Sequence, residues 1–414
     1  MTRRLHITIL CLLLSLSMTA KNKIYSPQIK TLQAVVNQEW LSPTVMRLDT
    51  DDVLNIGLDE LSHDYHRYIC HIERCEADWT TAEEVYESDW LEGFNNNVID
   101  DYEPSVNTII PYTHYRFQIP NDLCRLKMSG NYKLHIIDND TQEEQACVEF
   151  MVTEQKIVPL MEVSTNTDLD LNTRHQQITM SLSYGSLTVN NPREQIKTVI
   201  KQNDRDDNLR LDISPTFINA NGLEWRHCRQ LIFDGGNEYH KFEILDPSHP
   251  TMGIDYIRWD GHDYQVYPFL SEPRPHYIYD EDANGAFYIR NSDNVENDIA
   301  TEYVWVNYRL KAPALPEGHV YINGQWTTEA PEKYKMDYDE KTGLYTASIL
   351  QKQGYYSYQY LWQDADGKSH VLPSDGNFYQ TENCYQAYIY YKGTGERTWR
   401  LVGYRFLRYS SGVR

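Results

Sequence analysis

Long apolar runs are missing from this chain, apart from one short stretch at residues 7–16. A membrane-spanning helix needs about 20 such residues, so stable membrane insertion is excluded by sequence. Basic charge is also in deficit: 38 Lys and Arg stand against 60 Asp and Glu, for a net charge of −22. Such a surface repels phosphate backbones, which removes nucleic acid as a partner class and favours a basic surface. Cysteine is sparse. Beyond Cys11, the chain holds Cys70, Cys75, Cys124, Cys147, Cys228 and Cys384 at irregular spacing, so no disulfide scaffold is implied and any pairing stays open. Catalytic signatures are absent too, with no Gly-x-Ser-x-Gly elbow, no His-Glu-x-x-His and no glycine-rich phosphate loop. Among 60 carboxylates some pair always mimics a glycosidase dyad, so acidic abundance says nothing about hydrolysis. The expectation is a protein that is not an enzyme, with no catalytic residue, metal or cofactor.

The start of the chain carries the order of a secretory signal peptide. Arg3 and Arg4 precede the apolar run, and Ser17-Met18-Thr19-Ala20 offers a small residue for cleavage. Residues 1–20 are therefore expected to be removed, leaving a soluble exported protein with a deeper net charge of −24 after the loss of two arginines. Cys11 sits inside the run behind bulky Leu10, the wrong context for lipid attachment.

What is present is alternation with period two. Residues 68–72, 131–137, 147–152, 178–182, 196–201, 303–310, 320–322, 345–350, 355–362, 385–391 and 399–407 all read as strands, rich in tyrosine and β-branched residues. Turn signals punctuate them at Ser129-Gly130, Asp234-Gly235-Gly236-Asn237, Asn284-Gly285, Asn323-Gly324, Asp366-Gly367 and Asp375-Gly376. Many short strands without long amphipathic helices predict an all-β chain of tandem immunoglobulin-like or early-set β-sandwich domains. One short helix is expected in the first domain, where Thr80-Thr81-Ala82-Glu83 has the form of a capping box ahead of Val85, Tyr86 and Trp90. Composition shifts place the domains at 21–155, 156–295 and 296–414.

Four groups of residues invite a chemical reading. His63, His66, Cys70, His71 and Cys75 resemble a zinc set by residue type. On one strand, however, His66 and Cys70 lie about 13 Å apart at ~3.3 Å per residue, and His71 points the other way. Asp280, Asp282, Asn284 and Gly285 match half of a calcium loop, but Asn291 stands where the bidentate Glu belongs, and a hairpin turn between strands at 277–279 and 286–289 is preferred. Asp168-Leu169-Asp170-Leu171-Asn172 lacks both the Gly and the Glu. In residues 319–362, the order His319 to Trp326, Gly343-Leu344-Tyr345 and Gly354 to Tyr360 resembles early-set modules that bind starch and glycogen. Trp326 would be the sugar platform of such a module, or a core residue of the sandwich.

Taken in order, the chain resembles the plug protein family of the type IX secretion system, found in Bacteroidetes-type envelopes. Residues 29–33, 54–61 and 75–79 carry the likeness first, the last containing Asp78-Trp79. It continues through Gly93-Phe94, residues 99–102, Ser105-Val106-Asn107-Thr108, Tyr112-Thr113-His114-Tyr115 and residues 129–132. Further on it is carried by Gln202-Asn203, Gly236-Asn237-Glu238-Tyr239, residues 282–285, residues 353–356 and Thr381-Glu382-Asn383-Cys384-Tyr385. Two departures stand out: Arg74 where the family tends to have His, and Glu238-Tyr239 in place of Glu-Phe-Arg. The resemblance implies a periplasmic protein at the inner face of the outer membrane. Its partner would be the β-barrel translocon, which it seals from the periplasmic end. The signature residues are expected to determine the fold, not to make the contact. A glycan-binding protein of polysaccharide uptake is the alternative, and a glycoside hydrolase with an unseen carboxylate pair a third reading.

Overall fold

The computed structural model describes residues 22–315 and 317–412, so the expected signal peptide, residues 1–20, lies outside the described residues. The eleven alternating segments become strands. In Gly130–Asp138 the side chains of Tyr132, Leu134 and Ile136 are buried while Lys133 and His135 face outward. That strand pairs antiparallel with Tyr68–Cys75 on one side and Glu144–Thr153 on the other. The facing sheet runs Ile29–Val36, Leu54–Glu60, Thr113–Ile119, Asp101–Pro104. Between the two sheets Leu54, Leu58, Tyr115, Tyr132, Leu134 and Phe150 are fully buried, each such side chain contributing roughly 1.5–3 kcal/mol. Thr153 ends this first sandwich.

The rest of the chain does not divide at residue 295. One sheet of the second sandwich orders Leu160–Ser164, His175–Ser183, Gly222–Trp225 and Phe217–Asn219. Its other sheet orders Arg210–Leu211, Ile196–Gln202, Asn383–Tyr391 and Arg400–Tyr409, so the end of the chain returns to complete it. Residues 240–372, inserted between these parts, form the third sandwich around Phe242, Val304, Tyr308, Ile322 and Tyr360. The contiguous segments 156–295 and 296–414 are therefore corrected to a sandwich carrying another as an insertion. The physical reason lies in Asn383–Tyr391, whose nine residues are all buried. A strand covered on both faces must sit centrally in its sheet. Here Tyr385, Ala387 and Ile389 face the core of the second sandwich, while Tyr388 and Tyr390 pack against the first.

The expected helix is present in reduced form and begins later. Thr80 gives its hydroxyl to the Asp78 carboxylate at 2.6 Å and Thr81 pairs with the strand at Cys75, so the expected capping box does not form. A single turn, Glu87–Trp90, follows instead, with the Asp89 carboxylate accepting the Tyr86 N–H at 3.0 Å. A second one-turn helix, Pro192–Gln195, precedes a strand of the second sandwich. No helix among the described residues is long and apolar enough to cross a membrane.

Candidate functional site

The signature residues gather where the sandwiches meet. Between the first and third, Asp59 at the end of Leu54–Glu60 is fully buried and takes three bonds: from His114 Nδ1 at 2.7 Å, Tyr303 Oη at 2.6 Å and Lys352 Nζ at 2.7 Å. Burial alone would raise the Asp59 carboxyl; the Lys352 charge and the hydrogen bonds from His114 and Lys352 outweigh it and hold Asp59 below the usual range. Burial in turn pulls the Lys352 ammonium down from the lysine range, with Asp59 opposing. That ammonium also lies 4.0 Å from the Tyr112 ring centre, and the Tyr112 hydroxyl donates to Thr301 O at 2.8 Å. A tight loop holds Tyr112 there. Ser105 Oγ meets Thr108 Oγ1 at 2.7 Å and accepts the Tyr112 N–H at 3.1 Å, and Asn107 takes φ +60° in the turn. The Glu302 carboxylate caps the same loop, accepting the N–H groups of Ile109 at 2.5 Å and Ile110 at 3.2 Å. Tyr115 stays inside the first core, its hydroxyl bonded to the backbone of His66.

A second polar junction joins the inserted sandwich to its host. Asp375 accepts Arg274 Nε at 2.6 Å and lies 3.0 Å from His240 Nε2, while its carbonyl takes the Asn237 amide at 2.7 Å. Glu238 accepts Tyr277 Oη at 2.6 Å and the Glu382 N–H at 3.1 Å. Thr381 Oγ1 donates to Gly236 O at 2.9 Å, and Asn383 bonds Gln176, Asn203 and Gly235. The first and second sandwiches meet around Met151, Tyr388, Tyr390 and Leu401. Arg74, 2% exposed, donates there to Ser129 O at 2.8 Å, to Trp399 O at 2.5 Å and to its neighbour Cys75 O. The departure from His at this position thus ties two sandwiches together. Trp79, at φ +65°, packs half-buried beside this contact, and Asp78 holds its turn through Thr80.

Sequence reasoning named Tyr112, His114, Asn237, Glu238, Thr381 and Asn383 without their partners. It missed Asp59 as a site residue, with Lys352, Tyr303, Glu302, Arg274 and Asp375. A carboxylate closing an apolar strand, as in Leu58-Asp59-Glu60, was the available signal.

The other groups resolve separately. His63 bonds Ser105 Oγ at 2.9 Å, His66 faces Glu60 at 3.2 Å, Cys70 is in the core and His71 faces outward to Asn96, so they do not converge. Tyr277–Tyr279 is no strand, so the expected hairpin is corrected to a turn at Asn284-Gly285, both at positive φ. Its carboxylates are taken: Asp282 accepts the N–H groups of Tyr239 and Asn284, and Asp280 pairs with Lys241 at 2.6 Å. Asp168 and Asp170 hold His227 and His175, at 3.0 and 2.7 Å. Trp326 is 7% exposed, stacks on Tyr308 and donates to Ser357 O at 3.0 Å, so it is a core residue and not a platform. All six described cysteines are buried thiols.

A cavity of about 270 Å³ opens between the second and third sandwiches, lined by Asn203, Asp204, Tyr239, Asn284 and Tyr334 among others. Beside it a 100 Å³ cavity reaches the first sandwich at Trp40, Trp79 and Glu149. Burial, then the Asp206 charge, pushes the Glu149 carboxyl up to about 8. Aromatic surface is exposed elsewhere, on the edge strand Ile254–Trp259 of the third sandwich, where Tyr256 stacks on Tyr267 at 4.3 Å and Trp259 is 47% exposed.

Residues 29–154 match the model of the family described as Type 9 secretion system plug protein 1st domain. Among solved structures, a hypothetical protein from Parabacteroides merdae is similar along its length: 34% identity, TM-score 0.91, covering 94% of this chain and 99% of that one. The C-terminal domain of the Streptococcus agalactiae AgI/II polypeptide BspA aligns over 94% of this chain and 97% of its own, but at 7% identity and a TM-score of 0.15. That carries no argument. Comparison with curated proteins finds no match.

Proposed function

Because this chain belongs to the type 9 secretion system plug protein family, we propose that it is the part of that system which binds the periplasmic end of the outer-membrane translocon barrel and closes it. The protein acts in the periplasm, at the inner face of the outer membrane, without catalysis or cofactor. The observation that carries this reading is the family match over residues 29–154. Physical chemistry supports it. A wide barrel leaves an aqueous channel, and a seal must keep its shape under load. Three sandwiches locked by buried polar junctions make one rigid body, and loops and edges outside those junctions are free for contact. Contact is reversible because cargo must pass, which calls for an interface with a substantial polar share. The glycan-binding alternative rested on Trp326, and its burial removes that support.

The test is a gene deletion. Cells lacking the protein should admit a large antibiotic that they normally exclude, and the leak should vanish when the translocon is deleted as well. The two proteins should also co-purify from resting cells. A leak that persists without the translocon would count against the proposal.

A further inference from the structure

On one strand, alternation keeps ligands apart; across strands, register can gather them. His135 lies directly opposite Cys147 in the pairing of Gly130–Asp138 with Glu144–Thr153. Glu144, three residues before Cys147, would point to the other face in a regular strand. The pairing slips here, with Ile136 opposite Ala146 but Ile137 opposite Glu144, so Gln145 is an extra residue. This bulge turns Glu144 onto the face of His135 and Cys147, and bulges commonly re-aim a side chain in this way. One ligand atom from each of the three residues then lies within 4.8 Å of the others. His135 Nδ1 points at Glu144, 2.6 Å away, and its Nε2 is held 3.0 Å from Glu73 on the adjoining strand. Glu73 is itself fixed by the Thr81 hydroxyl.

We propose that His135, Glu144 and Cys147 form a transition-metal site, best suited to zinc, on the outer face of the first sandwich. Glu73 serves as the positioning residue for the His135 ring. A carboxylate behind the far nitrogen of a metal-binding imidazole is the usual supporting arrangement, fixing tautomer and ring angle. Imidazole, thiolate and a single carboxylate suit zinc and exclude magnesium and calcium, which take oxygen sets. Loading releases the Cys147 thiol proton and any proton on His135 Nδ1 to solvent, while the Nε2 proton stays on His135 and is donated to the Glu73 carboxylate. The fourth position is left for water or a donor from outside.

The test uses the mature chain without an affinity tag, stripped with chelator and titrated with cobalt(II), then zinc. One cobalt per chain should bind, with a thiolate-to-cobalt charge-transfer band that zinc abolishes. Cys147→Ser should lose the band, and Glu144→Gln, at an exposed position, should weaken binding even if the serine variant folds poorly. Glu73→Gln should weaken binding ~10–100-fold with an unchanged circular dichroism spectrum. Cys228→Ser should behave as the native chain. No band in the native chain, or a band that survives Cys147→Ser, overturns the site; undiminished affinity in Glu73→Gln overturns the positioning role.

Discussion

Replacing Asp59 by alanine should be among the most damaging single changes in this protein. Three donors converge on that carboxylate, from His114, Tyr303 and Lys352. Its removal leaves the Lys352 ammonium, 1% exposed, without its carboxylate partner, held only by the Asp298 carbonyl at 2.7 Å and the Tyr112 ring. Breaking a buried pair from one side typically costs ~3–5 kcal/mol, because an uncompensated charge is left behind. Total stability is only about 5–15 kcal/mol, so Asp59→Ala should move the urea midpoint far. Asp59→Leu combined with Lys352→Met should cost less than the sum of the single changes by ~1–3 kcal/mol, since the second change removes the stranded charge. The sign with pH follows as well. A carboxylate held below its unfolded value contributes stability above the unfolded value, and loses it as pH falls through the folded one. The native junction should therefore loosen as pH falls below the usual carboxylate range. Urea titration gives the energies. Hydrogen exchange at the Ile109 and Ile110 amides, which bond Glu302 beside the junction, reports whether the damage is local. A cost below ~1 kcal/mol, or strict additivity of the two changes, would refute the reasoning.

Trp326→Ala should destabilise by ~3–5 kcal/mol, the cost of truncating a large core aromatic; an unchanged midpoint with lost polysaccharide binding would restore the platform reading. At Glu149 burial and the Asp206 charge raise the carboxyl to about 8, so the folded chain keeps a proton that the unfolded chain has lost. Stability should fall as pH rises from about 4.5 to about 8, by at most ~1.4 kcal/mol per unit, and Glu149→Gln should flatten that slope in urea titrations; an unaltered slope would clear Glu149 of the effect. Amino-terminal sequencing of exported protein should begin near Lys21, and an intact Met1 in the periplasmic fraction would contradict the cleavage expectation.

Period-two patterning is local, which is why strands such as Gly130–Asp138 and Gly354–Gln363 are legible in the amino-acid order by itself. The insertion is not, because nothing near residues 196–202 announces that their partner arrives at 383–391. Lys352 illustrates a different limit. Gln351 and Lys352 end the strand Leu344–Lys352 and Gln353 follows it; all three are polar yet buried, Lys352 because the first sandwich covers it with Asp59 and Tyr112. The likeness singled out Tyr112 and His114 without saying what they touch. A fold-determining role was expected for them; His114 bonds Asp59 within its own sandwich, while Tyr112 reaches Thr301 and Lys352 across the junction. The Gln145 bulge was invisible for its own reason: it exists only in the pairing of two strands.

Why the junctions should be polar follows from what apolar contact cannot do. Burial of apolar area has no direction, so sandwiches held by it alone could settle at several angles with similar energy. Asp59, Asp375 and Arg74 admit one arrangement each, because their bonds point to particular atoms across the junction. A slipped arrangement would leave a buried charge unpaired, at several kcal/mol. Such groups add little net stability over a well-packed apolar contact, but they exclude the alternatives. On the plug reading that exclusion is the useful property, since a body that seals a fixed opening needs one outline more than it needs extra stability. Variants that replace a junction pair by apolar residues should then remain folded while losing the single outline.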